Sequence, residues 1–201
     1  MKNRTDLMFL PLFLFLAFLS GCATKTIEEK YTFFSLAAPE HYDVWVEHLE
    51  FEKPGIRHWR WPGGSVTCCW KGPDGPFGSG GTMSPFPKYI GIQWFSYADQ
   101  KFYQRLIILP ENLKKQMQNP AQYTTSKGTF ERPRDRLVIG LAPGGTIVLW
   151  IMNQIGNEIE VARFQANEID GDPSRYKAAT EQYLEENGDY LDEHGIPKTG
   201  W

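Results

Sequence analysis

Residues 136–152 read RLVIGLAPGGTIVLWIM, two apolar runs joined by Ala142-Pro143-Gly144-Gly145. Proline presets φ at the second position of a turn and glycine tolerates positive φ at the third, so these four residues fit a type II turn. Two β-rich runs around a tight turn specify an antiparallel hairpin, with strands over about Arg136–Ala142 and Thr146–Asn153. Thr146–Met152 offers apolar side chains to both faces. A strand of that kind has no side to give to water, so both of its faces must be covered. The hairpin is therefore expected at the centre of the fold.

The rest of the chain supplies neighbours for it. Tyr42–Phe51 and Ile56–Trp61 are rich in β-branched and aromatic residues and flank a Pro54-Gly55 turn. Ser65–Lys71, Tyr89–Tyr97 and Phe102–Leu109 read as further strands, and a single strand is expected over Glu158–Ile169 after the turn QIGN. Glu111–Met117, after Pro110, predicts a short helix. Asp172-Pro173 opens a second one, with aspartate at the N-cap and proline at the first helical position. Tyr176, Ala179, Tyr183 and Leu184 share one face of it, and Asn187-Gly188 predicts its stop. The fold class is α+β: mainly antiparallel β-sheet, sandwich-like, with a short middle helix and a C-terminal helix.

The first residues do not belong to that fold. Lys2 and Arg4 precede an unbroken apolar run, Leu7–Leu19, too short to span a bilayer, which takes about 20 residues. LSGC (Leu19–Cys22) follows and resembles the lipobox of bacterial lipoproteins, whose cysteine is diacylated and becomes the mature N-terminus. Residues 1–21 are thus expected to be a lipoprotein signal peptide, residues 22–30 a lipidated tether, and residues 31–201 one β-rich domain. Cys22 is the expected lipidation site, carrying palmitate-type chains into the membrane. Ala23, where an aspartate would favour retention at the inner membrane, points by the same resemblance to the periplasmic face of the outer membrane. Losing Lys2, Arg4 and Asp6 takes the formal charge from −3 to −4, and no basic tract suits nucleic acid.

Export makes the pair Cys68-Cys69 a problem. If Ser65–Lys71 is a strand, Val66, Cys68 and Trp70 share one face, while Thr67, Cys69 and Lys71 share the other. Cys69 would then be an outward thiol in an oxidising compartment. Two arrangements protect it: a vicinal disulfide between Cys68 and Cys69, or an element that covers the thiols. Gly72–Pro87 then holds five glycines and four prolines without strand or helix period. Loops of that length are uncommon in compact domains and often functional. Its Phe77, Met83 and Phe86, with the adjacent Trp70, are the candidate partner-binding residues; the alternative is that they fold back on the sheet.

Reaction chemistry has no clear signature. Gly63-Gly64-Ser65-Val66-Thr67 lacks the closing glycine of a nucleophile elbow, and GPFGSGG lacks the Lys-Ser/Thr of a phosphate loop. His48 and His58 could meet across a sheet, and Cys68, Cys69 and Met83 could offer soft ligands, but neither set has metal-site spacing. No catalytic residue, metal or cofactor is expected.

HYDVWVEHLE, PGGSVTCCWKG, PFPKYIGIQWFS, QKFYQRLIILP, YTTSKGTF, GLAPGGTIVLWIMNQIGNEIEV and YLDEHGIPKTGW together resemble one family of Gram-negative lipoproteins, domain of unknown function 2931. The resemblance spans nearly the whole mature chain and implies no reaction. The expected tether, the absence of a catalytic motif, the acidic and aromatic-rich composition and the long glycine–proline loop fit a non-enzymatic binding protein, and the resemblance implies its most concrete form, an immunity role against a type VI secretion lipase effector. The chain also has seven tryptophans, nine tyrosines and thirteen phenylalanines. The alternative expectation is accordingly an envelope component that binds lipid or glycan through surface aromatics such as Trp59, Trp61 and Trp94.

Overall fold

The computed structural model describes residues 32–70 and 80–201. Cys22, the residues expected to form a leader and tether, and Phe77 lie outside the described residues. The strands are, in chain order, β1 (Phe33–Ala37), β2 (Val44–Lys53), β3 (Arg57–Trp61), β4 (Gly64–Val66), β5 (Gly80–Thr82), β6 (Tyr89–Ser96) and β7 (Lys101–Ile108). After helix α1 (Leu113–Gln118) come β8 (Pro120–Thr125), β9 (Gly128–Pro133), β10 (Arg136–Ala142), β11 (Thr146–Met152), β12 (Ile159–Gln165) and β13 (Asn167–Ile169), and then helix α2 (Lys177–His194).

Two sheets form a sandwich. One runs β12-β11-β10-β1-β5, the other β13-β7-β6-β2-β3 with β4 also on β2, and β8–β9 is a separate hairpin. Pairing is antiparallel except between β1 and β10. The alternation of strand side chains builds the core. Leu137, Ile139 and Leu141 of β10 and Ile147, Leu149 and Ile151 of β11 meet Val46, Leu49, Ile90, Ile92 and Ile107 from the facing sheet. The central placing of the hairpin holds: all seven residues of β11 are buried between β10 and β12. Gly144 lies at φ 72°, ψ 8°, as the third position of a type II turn requires.

Several expectations are corrected. Glu158–Ile169 is not one strand. It breaks at Ala166, whose buried N–H donates to Gly145 O (2.8 Å), and the chain crosses from the first sheet to the second. Among the described residues of the expected Ser65–Lys71 strand, only Ser65 and Val66 pair with a neighbouring strand. The stop at Asn187-Gly188 does not occur. Asn187 instead donates to Tyr183 O one turn back and meets His41 Nδ1 at 2.9 Å, and α2 continues to Gly195, where φ is +73° and the N–H donates to Leu191 O. Its buried face is Thr180, Tyr183 and Leu191, while Ala179 and Leu184 are exposed. The Gly72–Pro87 stretch is not structureless throughout: Gly80–Thr82 pairs antiparallel with β1, and Met83 exchanges two hydrogen bonds of 2.7 Å with Thr32.

Candidate functional site

The outer face of the six-stranded sheet is divided in two. At one end α2 and the turn before it cover Phe95 and Phe102. Tyr176 stacks on Phe95 at 4.7 Å and Tyr183 on Tyr97 at 5.5 Å. At the other end the outward residues of β2, β6 and β7 carry no such layer among the described residues. The boundary is Glu47, set at a register shift between Val46 and His48. Its side chain is only 6% exposed, yet it is paired with Arg175 (3.2 Å) and accepts from Tyr176 Oη (2.6 Å) on the helix side. On the bare side it accepts from Gln93 Nε2. A buried carboxylate needs such partners, and here they tie the helix to the open face.

Beyond Glu47 lies a recess of about 170 Å3 over Gly91. His48, Glu50, Arg60, Gln93 and Gln104 surround it. Gly91 forms its floor because β6 has no side chain there: a Cβ would meet nothing closer than Glu50 Cβ at 3.9 Å. Arg60 and His58 both contact Glu50, at 3.0 Å from the Arg60 Nε and 3.3 Å from the His58 Nε2. The Arg60 hydrogen bonds hold the Glu50 carboxyl below its usual range. A carboxylate so stabilised accepts hydrogen bonds but is a poor proton acceptor near neutrality. Gln93 lines the recess and donates its amide nitrogen to Glu47. The arrangement suits recognition of a polar group through carboxamide and ion-pair contacts.

An apolar margin adjoins the recess. Leu106 lies opposite Gly91 and Ile108 opposite Tyr89, and they are 61% and 58% exposed. β13 pairs with β7 only at Phe102–Gln104, so β7 is an edge strand from Arg105 onward among the described residues. Exposed apolar side chains on an open edge are of the kind through which chains associate.

The residues singled out from sequence fall elsewhere. Cys68 and Cys69 are joined in a disulfide and both are half-buried, so the division into core Cys68 and surface Cys69 does not apply. A bond between neighbours needs both side chains on one side, which strand alternation forbids. Trp70 is half-buried, edge-on to Trp150 at 4.8 Å, on the outer face of the other sheet. Met83 (0% exposed) and Phe86 (7%) belong to the central core. Both are corrected from partner-binding residues to core: Met83 has no accessible surface to offer a partner, and Phe86 keeps only a small edge exposed. Trp94 is fully buried, Trp59 stacks on Phe51, and Trp61 packs edge-on to Phe34. The three face inward, which removes the surface platform expected of them. His48 and His58 do flank Glu50, but among the described residues no three His, Cys, Asp or Glu side chains converge as a metal site.

A second polar cluster lies under α2. Asp43 is pushed up to about 6, first by burial and then by Glu186, with His41 acting the other way. Burial and the Asp43 charge also raise Tyr97 and, together with further neighbours, Tyr183. His41 stacks on Tyr190 at 3.9 Å, and its carbonyl accepts from Tyr183 Oη at 2.6 Å. These contacts dock the helix.

Sequence reasoning missed Gly91, Gln93 and Gln104. A signal existed: in YIGIQWFS the inward Ile90, Ile92 and Trp94 alternate with Gly91 and Gln93. A mid-strand glycine on the solvent parity marks close approach by another group.

No curated protein and no solved structure matches this chain. A family model does, over residues 23–199. That match covers both sheets, both helices and the recess, and the chain belongs to the family described as Protein of unknown function (DUF2931).

Proposed function

We propose that the protein is a lipid-anchored envelope protein that binds a protein partner without catalysing a reaction, using the bare half of its six-stranded sheet. The carrying observation is the polar recess over Gly91, whose cross-strand neighbour Leu106 is exposed on the open edge of β7. Interfaces of this kind combine an apolar centre with satisfied polar contacts. The anchoring half of the reading rests on Cys22 in LSGC, and the family match begins at the next residue. Placed on the periplasmic face of the outer membrane, such a protein suits a partner that attacks the membrane. The specific form proposed is immunity against a type VI secretion lipase effector.

The test pairs this protein with the product of its neighbouring gene. Cells expressing that product in the periplasm should be rescued by the wild-type chain and not by Gly91→Trp, which fills the recess. Binding should be tighter than micromolar, about −8 kcal/mol. Survival of cells that lack this protein, with no binding at micromolar concentration, overturns the immunity reading. Separately, Cys22→Ala should leave the membrane fraction, and retention at wild-type level overturns the anchor.

A further inference from the structure

A second cleft, of about 450 Å3, opens where β2 ends, β6 begins and β7 runs into α1. Its chemistry differs from that of the recess. Lys53, Lys88 and Lys114 come to it from three separate segments, with Glu111 as the one acid among its lining residues. Phe86 (7% exposed) and Leu109 (3%) give it an apolar floor, with Pro87 and Pro110 beside them and Ile108 at its mouth. Three cations over apolar surface suit a ligand with an anionic head and an aliphatic body.

The position of the cleft narrows the source of that ligand. Thr32, the first described residue, is hydrogen-bonded through both its carbonyl and its hydroxyl to Met83, three residues before Phe86. Arg57, after the β2–β3 turn, donates to Ser84 O at 2.8 Å at the same end. Ile56 at that turn is 69% exposed. Thr32 and the start of β1 thus lie at the same end of the domain as the cleft. Ten residues from Cys22 to Thr32 reach at most about 35 Å even when fully extended. If Cys22 is held in a bilayer, the cleft is kept within reach of the headgroups. Basic side chains near a membrane surface favour anionic lipid.

We infer that this cleft binds the anionic headgroup of a membrane phospholipid, with the lysines on the phosphate and the first methylenes over Phe86, Leu109 and Ile108. The source of the lipid, though not the chemistry of the cleft, rests on the anchoring reading. The test uses the full chain held in neutral detergent, so that binding does not depend on Cys22. Lysine acetylation is followed by mass spectrometry at Lys53, Lys88 and Lys114, with Lys101 and Lys127 as references. Short-chain phosphatidylglycerol should slow labelling of the three at least about threefold, while short-chain phosphatidylcholine and inorganic phosphate should not. Lys53→Gln/Lys88→Gln should raise the phosphatidylglycerol concentration that half-protects Lys114 by about fivefold per lysine removed, without lowering the Tm. Equal labelling with all three additives overturns the inference. So does protection by inorganic phosphate alone, which would mark a site for a free anion. Release of wild-type protein from membranes would instead overturn the anchor and leave this result standing.

Discussion

Gly91 and Gly140 sit mid-strand on outward positions, one in each sheet, and neither has positive φ. The same methyl group should do opposite things at the two sites. A Cβ on Gly140 would lie 2.5 Å from Trp150 Cζ3 and 2.8 Å from Trp70 Cζ3. Both atoms belong to rigid rings, and Trp150 is only 2% exposed, so relief requires moving the pair. Overpacking of this kind costs about 1–3 kcal/mol. A Cβ on Gly91 meets Glu50 Cβ at an ordinary 3.9 Å and otherwise enters the recess. There the gain is the backbone entropy that glycine forfeits in a strand, roughly 0.5–1 kcal/mol. In thermal unfolding of the full chain, a domain of this size shifts by about 2–4 °C per kcal/mol. Gly140→Ala should therefore lower the Tm by roughly 2–12 °C and Gly91→Ala raise it by roughly 1–4 °C. Adding Trp70→Leu to Gly140→Ala should recover part of the loss. Equal shifts at the two glycines would refute both the tryptophan packing over Gly140 and the open recess over Gly91.

Native, unreduced protein should resist alkylation at Cys68 and Cys69, and their peptide should weigh two hydrogens less than the dithiol; full modification of Cys69 would sink the disulfide. Trp150→Ala should cost about 3–5 kcal/mol in urea unfolding, and a change below about 1 kcal/mol would move Trp150 to the surface. Asp43 holds its proton more tightly folded, with a value of about 6, than unfolded near 3.8, so its contribution is full below about pH 4 and is lost as pH rises through about 6. Asp43→Asn should flatten stability between pH 4 and 7 and raise it at pH 7, and an unchanged pH profile would show that Asp43 is well solvated.

What the sequence makes legible is what short-range pattern decides. The β10–β11 hairpin needs a turn and two apolar runs within seventeen residues, and all three are visible in RLVIGLAPGGTIVLWIM. β1 is a different case. Its five residues pair in parallel with β10, about a hundred positions away, and nothing local in FFSLA announces a partner at that distance. The β8–β9 hairpin is nearly all polar and exposed, so it lacks the alternation by which a strand is recognised. Met83 and Phe86 fail for a related reason. They stand in a glycine–proline stretch that reads as loop, but an apolar side chain follows the cavity that will accept it, and here that is the sandwich interior beside Phe34 and Phe51.

The candidate site is legible only in retrospect, through strand parity. On the outward positions of β6 and β7, Phe95 opposes Phe102, Gln93 opposes Gln104, Gly91 opposes Leu106 and Tyr89 opposes Ile108. The first pair is apolar and covered by the turn before α2. The second is polar and partly exposed, as an uncovered sheet face should be. The last two break that logic: Leu106 and Ile108 are apolar and exposed, though a polar residue at either position would suit an uncovered face. A single exposed leucine is ordinary. Two on one face of an unpaired edge are harder to dismiss, because Leu106 pairs with Gly91 at the floor of the polar recess and Ile108 lines the lysine cleft. β7 thus forms an apolar ridge between two concave sites of different polarity. A partner that covers the recess must lie across that ridge, and Leu106→Asp should weaken it while leaving the lysine cleft unchanged. Loss of partner binding and lipid protection together in that variant would mean that the two sites are one surface.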